Sequence, residues 1–263
     1  MLRVLAGQRS PDSYVAGGIA INRHGPRYSR DIDLFHDSAA RLQEAVEADQ
    51  TALAAAGYGV TWLPHPAAER REATIEKSGE RMQLEWVTDS AFRFFPTVRD
   101  ELFGYVLHPA DLAANKAAAA ADRRVPRDIV DLATVHDAVL KLGAVLAATV
   151  GKFPGVTPEE LLAEITRHSR FTAEEFAALA VAHPVDMRDL HRRIRNMLEE
   201  AERFLASLPS DAVGVLFLDR TGTPVQPDLD ALDTYTRHAG APRGLWPSSP
   251  EIGRAMLERY GKR

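Results

Sequence analysis

The chain of 263 residues contains no cysteine. This absence excludes disulfide bonds, cysteine-ligated zinc, iron–sulfur clusters and thiol nucleophiles. No apolar run approaches the roughly 20 residues that a membrane-spanning helix requires. The N-terminus also lacks the basic start and long apolar stretch that mark a secretory signal. We therefore expect a cytoplasmic protein without a membrane partner.

A strong excess of charge of one sign is also missing. Thirty-two lysine and arginine residues stand against 37 aspartate and glutamate residues, which gives a net charge of −5. The sequence therefore does not predict indiscriminate binding to nucleic acid, although local basic clusters remain compatible with it. The length suffices for one large domain or two modest ones.

Helix and strand patterns alternate in the first part of the chain. The alanine-rich segment 38–56 has apolar residues near helical spacing and Ser38 in the N-cap position, which predicts a helix. Strand-like runs follow at 58–63, 72–77 and 81–87, and the turn residues between the last two predict a β-hairpin. This part therefore predicts a mixed α/β fold.

Helical patterns dominate the second part of the chain. An apolar stripe runs through residues 128–150, and residues 186–206 place apolar side chains at spacings of three and four. Glycine and proline residues at 151–155 interrupt the helical pattern. We therefore predict a mixed α/β core over residues 1–150 and a mostly helical C-terminal region with a short strand over residues 151–263.

Two carboxylates one residue apart form the most informative feature of the sequence. On a strand, Asp31 and Asp33 would share one face, while Ile32 and Leu34 would point into a core on the other. The repulsion between the carboxylates is costly unless a cation lies between them. Oxygen ligands of this kind suit Mg²⁺ or Mn²⁺, so the pattern predicts a divalent-metal site.

A pair of glycines precedes these carboxylates. Gly17 and Gly18 let the backbone approach a ligand closely and present its N–H groups. Adjacent amides near a metal-bound carboxylate pair are typical of a polyphosphate site. Each feature alone is weak, because most Asp-x-Asp pairs lie in solvated loops and most Gly-Gly pairs form turns. Their combination, with Arg27 and Ser29 between them, favours function.

This segment resembles the AbiEii/AbiGii-type nucleotidyltransferase toxins, which are members of the DNA polymerase β-like nucleotidyltransferase superfamily. Their signature is a Gly-Gly, a short helix and then Arg-x-Ser-x-Asp-x-Asp-Leu, followed downstream by a helical lysine and an Asp-x-x-Asp-Leu. The resemblance covers roughly residues 10–140. The matching positions are Gly17, Gly18, Arg27, Ser29, Asp31, Asp33, Leu34, Lys116, Asp128 and Asp131.

The resemblance implies a nucleotidyltransferase core with a small mixed sheet flanked by helices. It also implies that Asp31 and Asp33 hold Mg²⁺ or Mn²⁺ and that a third carboxylate completes the metal site, for which Glu85 is the candidate. Lys116 would pair with the phosphates of an NTP, and Asp128 or Asp131 would orient either Lys116 or an acceptor hydroxyl. The implied catalytic residues are Asp31, Asp33, Lys116, Asp128 and Asp131, and the implied nucleotide-binding residues are Gly17, Gly18, Arg27, Ser29 and Lys116.

The implied reaction is transfer of a nucleoside monophosphate from an NTP to a hydroxyl, with release of pyrophosphate. By resemblance the protein would be a toxin of a toxin–antitoxin or phage-defence system, its acceptor the 3′ end of tRNA or another RNA, and its partner a cognate antitoxin. One alternative is a nucleotidyltransferase that modifies a small molecule or a protein. Another is a non-catalytic binding module, because Ile19 stands where the family usually has a small hydroxyl residue.

Several of these residues also have structural interpretations. Lys116 in an alanine-rich helix could be a solubilising residue, and Asp128 could be the N-cap of a helix beginning at Ile129. The basic clusters could bind RNA or could form solvated turns and intrahelical ion pairs. These clusters are Arg123, Arg124 and Arg127, and, on the predicted helix 186–206, Arg188, Arg192, Arg193 and Arg195.

Overall fold

A computed structural model describes residues 1–64, 67, 69–181 and 186–245 of the protein. Residues 246–263, at the end of the predicted C-terminal region, lie outside the described part of the chain. None of the helices within the described ranges is both long enough and apolar enough to cross a membrane.

The first part of the chain builds most of the sheet. Its central strand follows a short helix, and a long helix follows that strand. The elements are α1 (Leu2–Ala6), β1 (Ser13–Ala16), α2 (Gly17–Ile21), β2 (Asp31–His36), α3 (Ala39–Ala55), β3 (Gly59–Leu63), β4 (Arg70–Lys77), β5 (Glu80–Thr88), β6 (Phe92–Arg93), β7 (Val98–Asp100) and β8 (Gly104–Val106).

The second part is mainly helical and ends in short strands. Two 3-10 helices span Ser210–Ala212 and Leu229–Thr234. The remaining elements are α4 (Pro109–Asp122), α5 (Pro126–Ala138), α6 (Leu142–Lys152), α7 (Pro158–His168), α8 (Ala173–Ala177), α9 (Met187–Ser207), β9 (Val215–Leu218), β10 (Pro224–Val225), β11 (Thr236–Ala239) and β12 (Ala241–Pro242).

Seven strands form one mixed sheet in the order β3-β4-β5-β2-β1-β8-β7. The central strand β2 runs antiparallel to β1 and parallel to β5. Helix α3 packs against one face, where Ile32 and Leu34 of β2 lie fully buried with Leu84 and Trp86 of β5. This architecture confirms the predicted mixed α/β class with a sheet flanked by helices.

Local sequence signals account for several element ends. The Ser38 hydroxyl accepts a hydrogen bond from the Arg41 backbone N–H and caps α3 as predicted. Strands β4 and β5 form the predicted hairpin, and its turn residues Ser78 and Gly79 adopt φ angles of 54° and 83°. Positive φ at both central residues is what the tightest hairpin turns require.

The predicted apolar stripe over residues 128–150 belongs to two helices. Helix α5 ends at Ala138 and α6 begins at Leu142. The side chain of His136 stabilises this break, since its Nδ1 accepts the Leu142 backbone N–H at 3.1 Å. Residues 128–150 therefore do not form a single continuous helix.

The helices on both sides of residue 150 share one hydrophobic cluster. Leu146 of α6, Leu161 of α7 and Met197 of α9 all lie in it, together with the buried alanines of α4. The division of the chain into two regions at residue 150 therefore stays a prediction. Helix α4 extends from the sheet to this cluster. It therefore lies where the two parts meet.

Candidate active site

Strand β2 presents the two predicted carboxylates on one face. Asp31 and Asp33 are half-buried, while the intervening Ile32 and the following Leu34 are fully buried on the other face. The strand thus alternates between a hydrophobic core and a polar cavity, as a period of two dictates.

Glu85 lies on β5 directly beside Asp33 in the parallel pairing of β5 with β2. Its carboxylate accepts a hydrogen bond from Arg70 at 2.8 Å. Within the described ranges, no three acidic or histidine side chains are grouped so that they could hold a metal ion. In this conformation the Glu85 carboxylate pairs with Arg70, and its role as a third ligand beside Asp31 and Asp33 stays a prediction.

The carboxylate of Asp33 has no directly bonded partner that offsets its negative charge. It has no hydrogen-bond or ion-pair partner in the described part of the chain. Burial raises the pKa of Asp33 to about 6, and the charge of Asp31 adds to the rise. Burial also raises the pKa of Glu85 to about 7, with the charge of Asp33 as the next cause. The carboxylate of Asp33 thus has no directly bonded counter-charge, and a bound cation would supply one.

The carboxylate of Asp31 has bonded partners, in contrast to that of Asp33. The Ser29 hydroxyl donates to one carboxylate oxygen of Asp31 at 2.7 Å, and the Arg127 guanidinium lies 3.1 Å from the other. Ser29 therefore orients a carboxylate in this structure, and Arg127 supplies a counter-charge. A cation bound at Asp31 would compete with Arg127 for the same oxygen.

The glycine pair lies against these carboxylates. Gly17 adopts a φ of +68°, and a Cβ added there would collide with the carboxylate of Asp33. A Cβ at Gly18 would collide with the Arg27 guanidinium, at 2.5 Å from its Nη2. Both glycines thus permit a close approach of backbone to side chain that other residue types would block. The next residue, Ile19, packs against the hydrophobic cluster beneath the sheet.

Arg27 points to a carboxylate on a distant helix. Its guanidinium makes two hydrogen bonds to Asp131 of α5, at 2.7 and 2.6 Å, and both side chains are buried. Asn22 donates to the same carboxylate at 2.7 Å, and Lys116 lies 3.0 Å from it. Asp131 therefore joins the loop before β2 to helices α4 and α5.

Lys116 lies within an ion-pair network and is not a solvated residue. It is 7% exposed, and its Nζ donates to Asp128 at 2.8 Å. Asp128 also accepts from Arg123 at 2.8 Å. Burial raises the pKa of Asp128, but the charges and hydrogen bonds of Lys116 and Arg123 outweigh burial and lower it.

The alternative interpretation of Asp128 as an N-cap is wrong. Helix α5 begins at Pro126, and its N-cap residue is Val125. The proline explains the earlier start, because its fixed φ and missing N–H suit the first turn of a helix. Asp128 therefore lies inside the first turn, with its side chain directed at Lys116.

These groups meet in one cavity of about 250 Å³. The cations Arg70, Lys116, Arg123 and Arg127 line it opposite the carboxylates. Sequence reasoning missed Arg70, since nothing in its neighbourhood distinguishes it from other strand arginines. The predicted site residues that line the cavity are Gly17, Gly18, Arg27, Asp31, Asp33, Glu85 and Lys116. Ser29, Asp128 and Asp131 do not line it but hydrogen-bond to Asp31, Lys116 and Arg27, respectively.

The donor set fits a divalent cation at Asp31 and Asp33. Both carboxylates face the cavity from one strand, and Asp33 keeps its oxygens free of protein donors. Hard oxygen ligands of this kind are those that Mg²⁺ and Mn²⁺ prefer. The unpaired, largely buried charge on Asp33 is the observation on which this fit rests.

The other basic clusters are mostly paired on the surface. Arg124 binds Glu175 of α8, Arg192 pairs with Asp189, and Arg193 pairs with Asp137. Such exposed pairs contribute little to stability. Of the predicted basic clusters, Arg123 and Arg127 line the cavity.

The mixed sheet, the glycine turn and the carboxylate pair facing a helical lysine define a nucleotidyltransferase fold and site. The chain belongs to the AbiEii nucleotidyl transferase toxin family of type IV toxin–antitoxin systems, because the sequence model of that family matches residues 3–231. This match extends well beyond the region of roughly 10–140 over which the motifs carry the resemblance. The family implies a cognate antitoxin.

One solved structure shares this fold. MenT4, a nucleotidyltransferase toxin from Mycobacterium tuberculosis H37Rv, is similar at 16% identity with a TM-score of 0.55, over 80% of this chain and 82% of that chain. A candidate nucleotidyltransferase from H. pylori matches at 14% identity with a TM-score of 0.46, over 79% of this chain and 93% of that chain. A comparison with curated proteins finds no significant match.

Proposed function

We propose that this chain transfers a nucleoside monophosphate from an NTP to the 3′ end of a tRNA or another RNA in the cytoplasm, and thereby acts as a toxin. The bond between the α-phosphorus and the bridging oxygen breaks, pyrophosphate leaves, and the acceptor oxygen bonds to the α-phosphorus. The observation that carries this proposal is the carboxylate of Asp33, which has no hydrogen-bond or ion-pair partner among the described residues and lies beside Asp31 and against Gly17.

Asp31 and Asp33 are the proposed ligands of Mg²⁺ or Mn²⁺. When bound, such an ion neutralises charge on the triphosphate and on the attacking hydroxyl. Ser29 keeps the Asp31 carboxylate oriented through its hydrogen bond of 2.7 Å. Glu85, with its raised pKa, is placed to accept a proton from the acceptor once Arg70 releases it.

Lys116 and the glycines are the proposed phosphate contacts. The first turn of α2 leaves backbone N–H groups without helical partners beside the carboxylates. Asp128 and Asp131 hold Lys116 between them at 2.8 and 3.0 Å, so they position its ammonium group. Arg27 acts through Asp131, and we assign it a positioning role.

The acceptor is proposed to be rich in phosphate. Arg70, Arg123 and Arg127 line the cavity, and their side chains are about two-fifths to one-half exposed at 41%, 48% and 37%. These exposed guanidiniums would attract RNA phosphates, although the whole chain is acidic. They favour a phosphate-rich acceptor such as RNA over a small molecule.

A labelling assay tests the proposal. Purified protein is incubated with Mg²⁺, one α-labelled NTP at a time, and total tRNA. We expect label to enter tRNA with at least one NTP and to be lost in Asp31→Asn/Asp33→Asn. The matched control is Asp228→Asn/Asp230→Asn, an Asp-x-Asp pair at the start of the second 3-10 helix that does not line the cavity, and this variant should label normally.

Each outcome has a defined meaning. Label on protein alone would assign a protein-modifying transferase. Absence of label, together with no thermal shift from NTP and Mg²⁺, would contradict the enzymatic proposal and favour a binding module. Saturating ligand at about 100 times its Kd should add about 2.7 kcal/mol to the free energy of unfolding, so binding would be readily detected.

A further inference from the structure

A second groove continues from the candidate active site. It has a volume of about 590 Å³ and lies between α4, the end of α6 and α7. Phe35, Asn115 and Ala119 line both this groove and the cavity that holds the carboxylates. The two spaces are therefore adjacent halves of one elongated cleft along α4.

The two halves differ sharply in charge. The first is lined by five cationic side chains together with the carboxylates. The second has no lysine or arginine among its described lining residues, and its charged groups are Asp122, Glu160 and Glu164. A phosphate would be attracted to the first half and repelled from the second.

The second half offers flat apolar contacts. Phe153 and Val156 lie at its edge, and the exposed fraction of Val156 is 41%. Phe35 stands two residues after Asp33 on the same face of β2, and its ring packs edge-on against Tyr14 at 6.4 Å. Aromatic surfaces of this kind stack with nucleobases.

A polar group is fixed where the halves join. The side-chain carbonyl of Asn115 accepts a hydrogen bond from Lys152 at 2.7 Å. Lys152 is itself buried and lies 3.7 Å from Asp111. The amide of Asn115 is therefore oriented before any ligand arrives.

We propose that this groove is the nucleobase subsite for the NTP. The inference rests on the proposed function and extends it. An NTP carries its charge at one end and an uncharged aromatic ring with N–H donors at the other. The cationic half suits its triphosphate, and the apolar half with an acidic rim suits its base.

Inorganic tripolyphosphate provides the decisive probe, because it has the charged end of an NTP and no base. Binding of each NTP and of tripolyphosphate is measured by calorimetry in Mg²⁺. Ala118→Leu adds bulk to the groove, and Phe153→Ala removes an aromatic surface, whereas Phe153→Tyr retains it. The matched control is Ala54→Leu, the same change on an exposed position of α3.

The groove variants should weaken NTP binding by roughly tenfold or more, the scale of a lost base–aromatic stack. Their affinity for tripolyphosphate should not change, and Phe153→Tyr and Ala54→Leu should bind both ligands like the unmodified protein. Equal losses for NTP and tripolyphosphate, or no loss for either, would overturn the assignment.

Two further results separate this inference from the proposed function. If the unmodified protein binds neither tripolyphosphate nor any NTP, the proposed function itself fails, and the subsite fails with it. If the groove variants keep their NTP affinity but lose transfer to RNA, the groove belongs to the acceptor and the assignment to the NTP is overturned.

Discussion

Gly17 combines a backbone conformation and a close contact that other residue types tolerate poorly. Its φ is +68°, and a Cβ would collide with the carboxylate of Asp33. The residue that opens α2 therefore also determines how near the backbone comes to the carboxylate pair. The sequence indicated a close approach at this glycine, but not the group that it approaches.

Replacement of Gly17 by alanine should damage both stability and ligand binding. Gly79→Ala is the matched control, since Gly79 also has a positive φ of 83° but nothing lies within 4 Å of its added Cβ. We expect each variant to lose about 1–2 kcal/mol of unfolding free energy from backbone strain. Only Gly17→Ala should also lose the thermal shift caused by Mg²⁺ and NTP, and equal shifts in both variants would contradict this.

Asp33 should reduce the stability of the metal-free protein at neutral pH. Its pKa is raised to about 6 by burial and by Asp31, so folding disfavours its charged form. The resulting penalty is absent below about pH 4, grows as the pH rises toward 6 and stays constant above it. Asp33→Asn removes this free-energy penalty, and it also removes a proposed metal ligand.

We therefore expect Asp33→Asn to be more stable than the unmodified protein by up to about 3 kcal/mol at pH 8. The difference should shrink to near zero at pH 4. Urea unfolding in EDTA at several pH values measures it. A variant that is less stable at pH 8 would show that the Asp33 carboxylate has favourable contacts in the metal-free protein.

At the scale of elements, buried ion pairs connect segments that are far apart in sequence. Arg27, just before β2, binds Asp131 of α5 with two hydrogen bonds. Asp131 also approaches Lys116 of α4. One carboxylate thus links the segment before β2 to both helices.

Arg27→Ala should destabilise the protein by about 3 kcal/mol or more, because it leaves part of the buried Asp131 charge without its partner. Arg167→Ala provides the comparison, since Arg167 is 70% exposed and pairs with Glu164 on the surface. That change should cost less than about 1 kcal/mol. Urea unfolding of both variants tests the contrast, and similar costs would contradict it.

At the scale of the whole molecule, the helical cluster crosses the predicted division at residue 150. Helix α6 spans the division, α7 and α9 lie after it, and their apolar faces form one core with α4. A chain that ends near Gly155 would expose the faces of α4 and α6 that α7 and α9 cover. We therefore infer that the two parts depend on each other for folding.

A fragment of residues 1–155 should lack a cooperative thermal transition when expressed alone. Mixing it with a fragment of residues 156–263 should restore cooperative unfolding, since the missing apolar faces are then covered. Circular dichroism during heating measures both. A cooperative transition of the first fragment alone would instead support two independently folding domains.

Short-range patterns made much of the fold predictable. The hydrophobic alternation of Ile32 and Leu34, the Ser38 cap and the turn at Gly79 act within a few residues, so they can be read without tertiary information. The break between α5 and α6 was not predicted. It depends on a His136 side chain that bonds the backbone of Leu142, and apolar spacing does not reveal such a bond.

The sequence by itself determined the carboxylate pair and the face on which it lies, because a strand places every second side chain on the same side. Only the tertiary structure decided that Glu85 pairs with Arg70 and that Arg27 reaches Asp131, 104 positions away. Strand register and buried ion pairs arise from the packing of distant segments, where burial makes unpaired charge costly. Local periodicity carries no information about those partners.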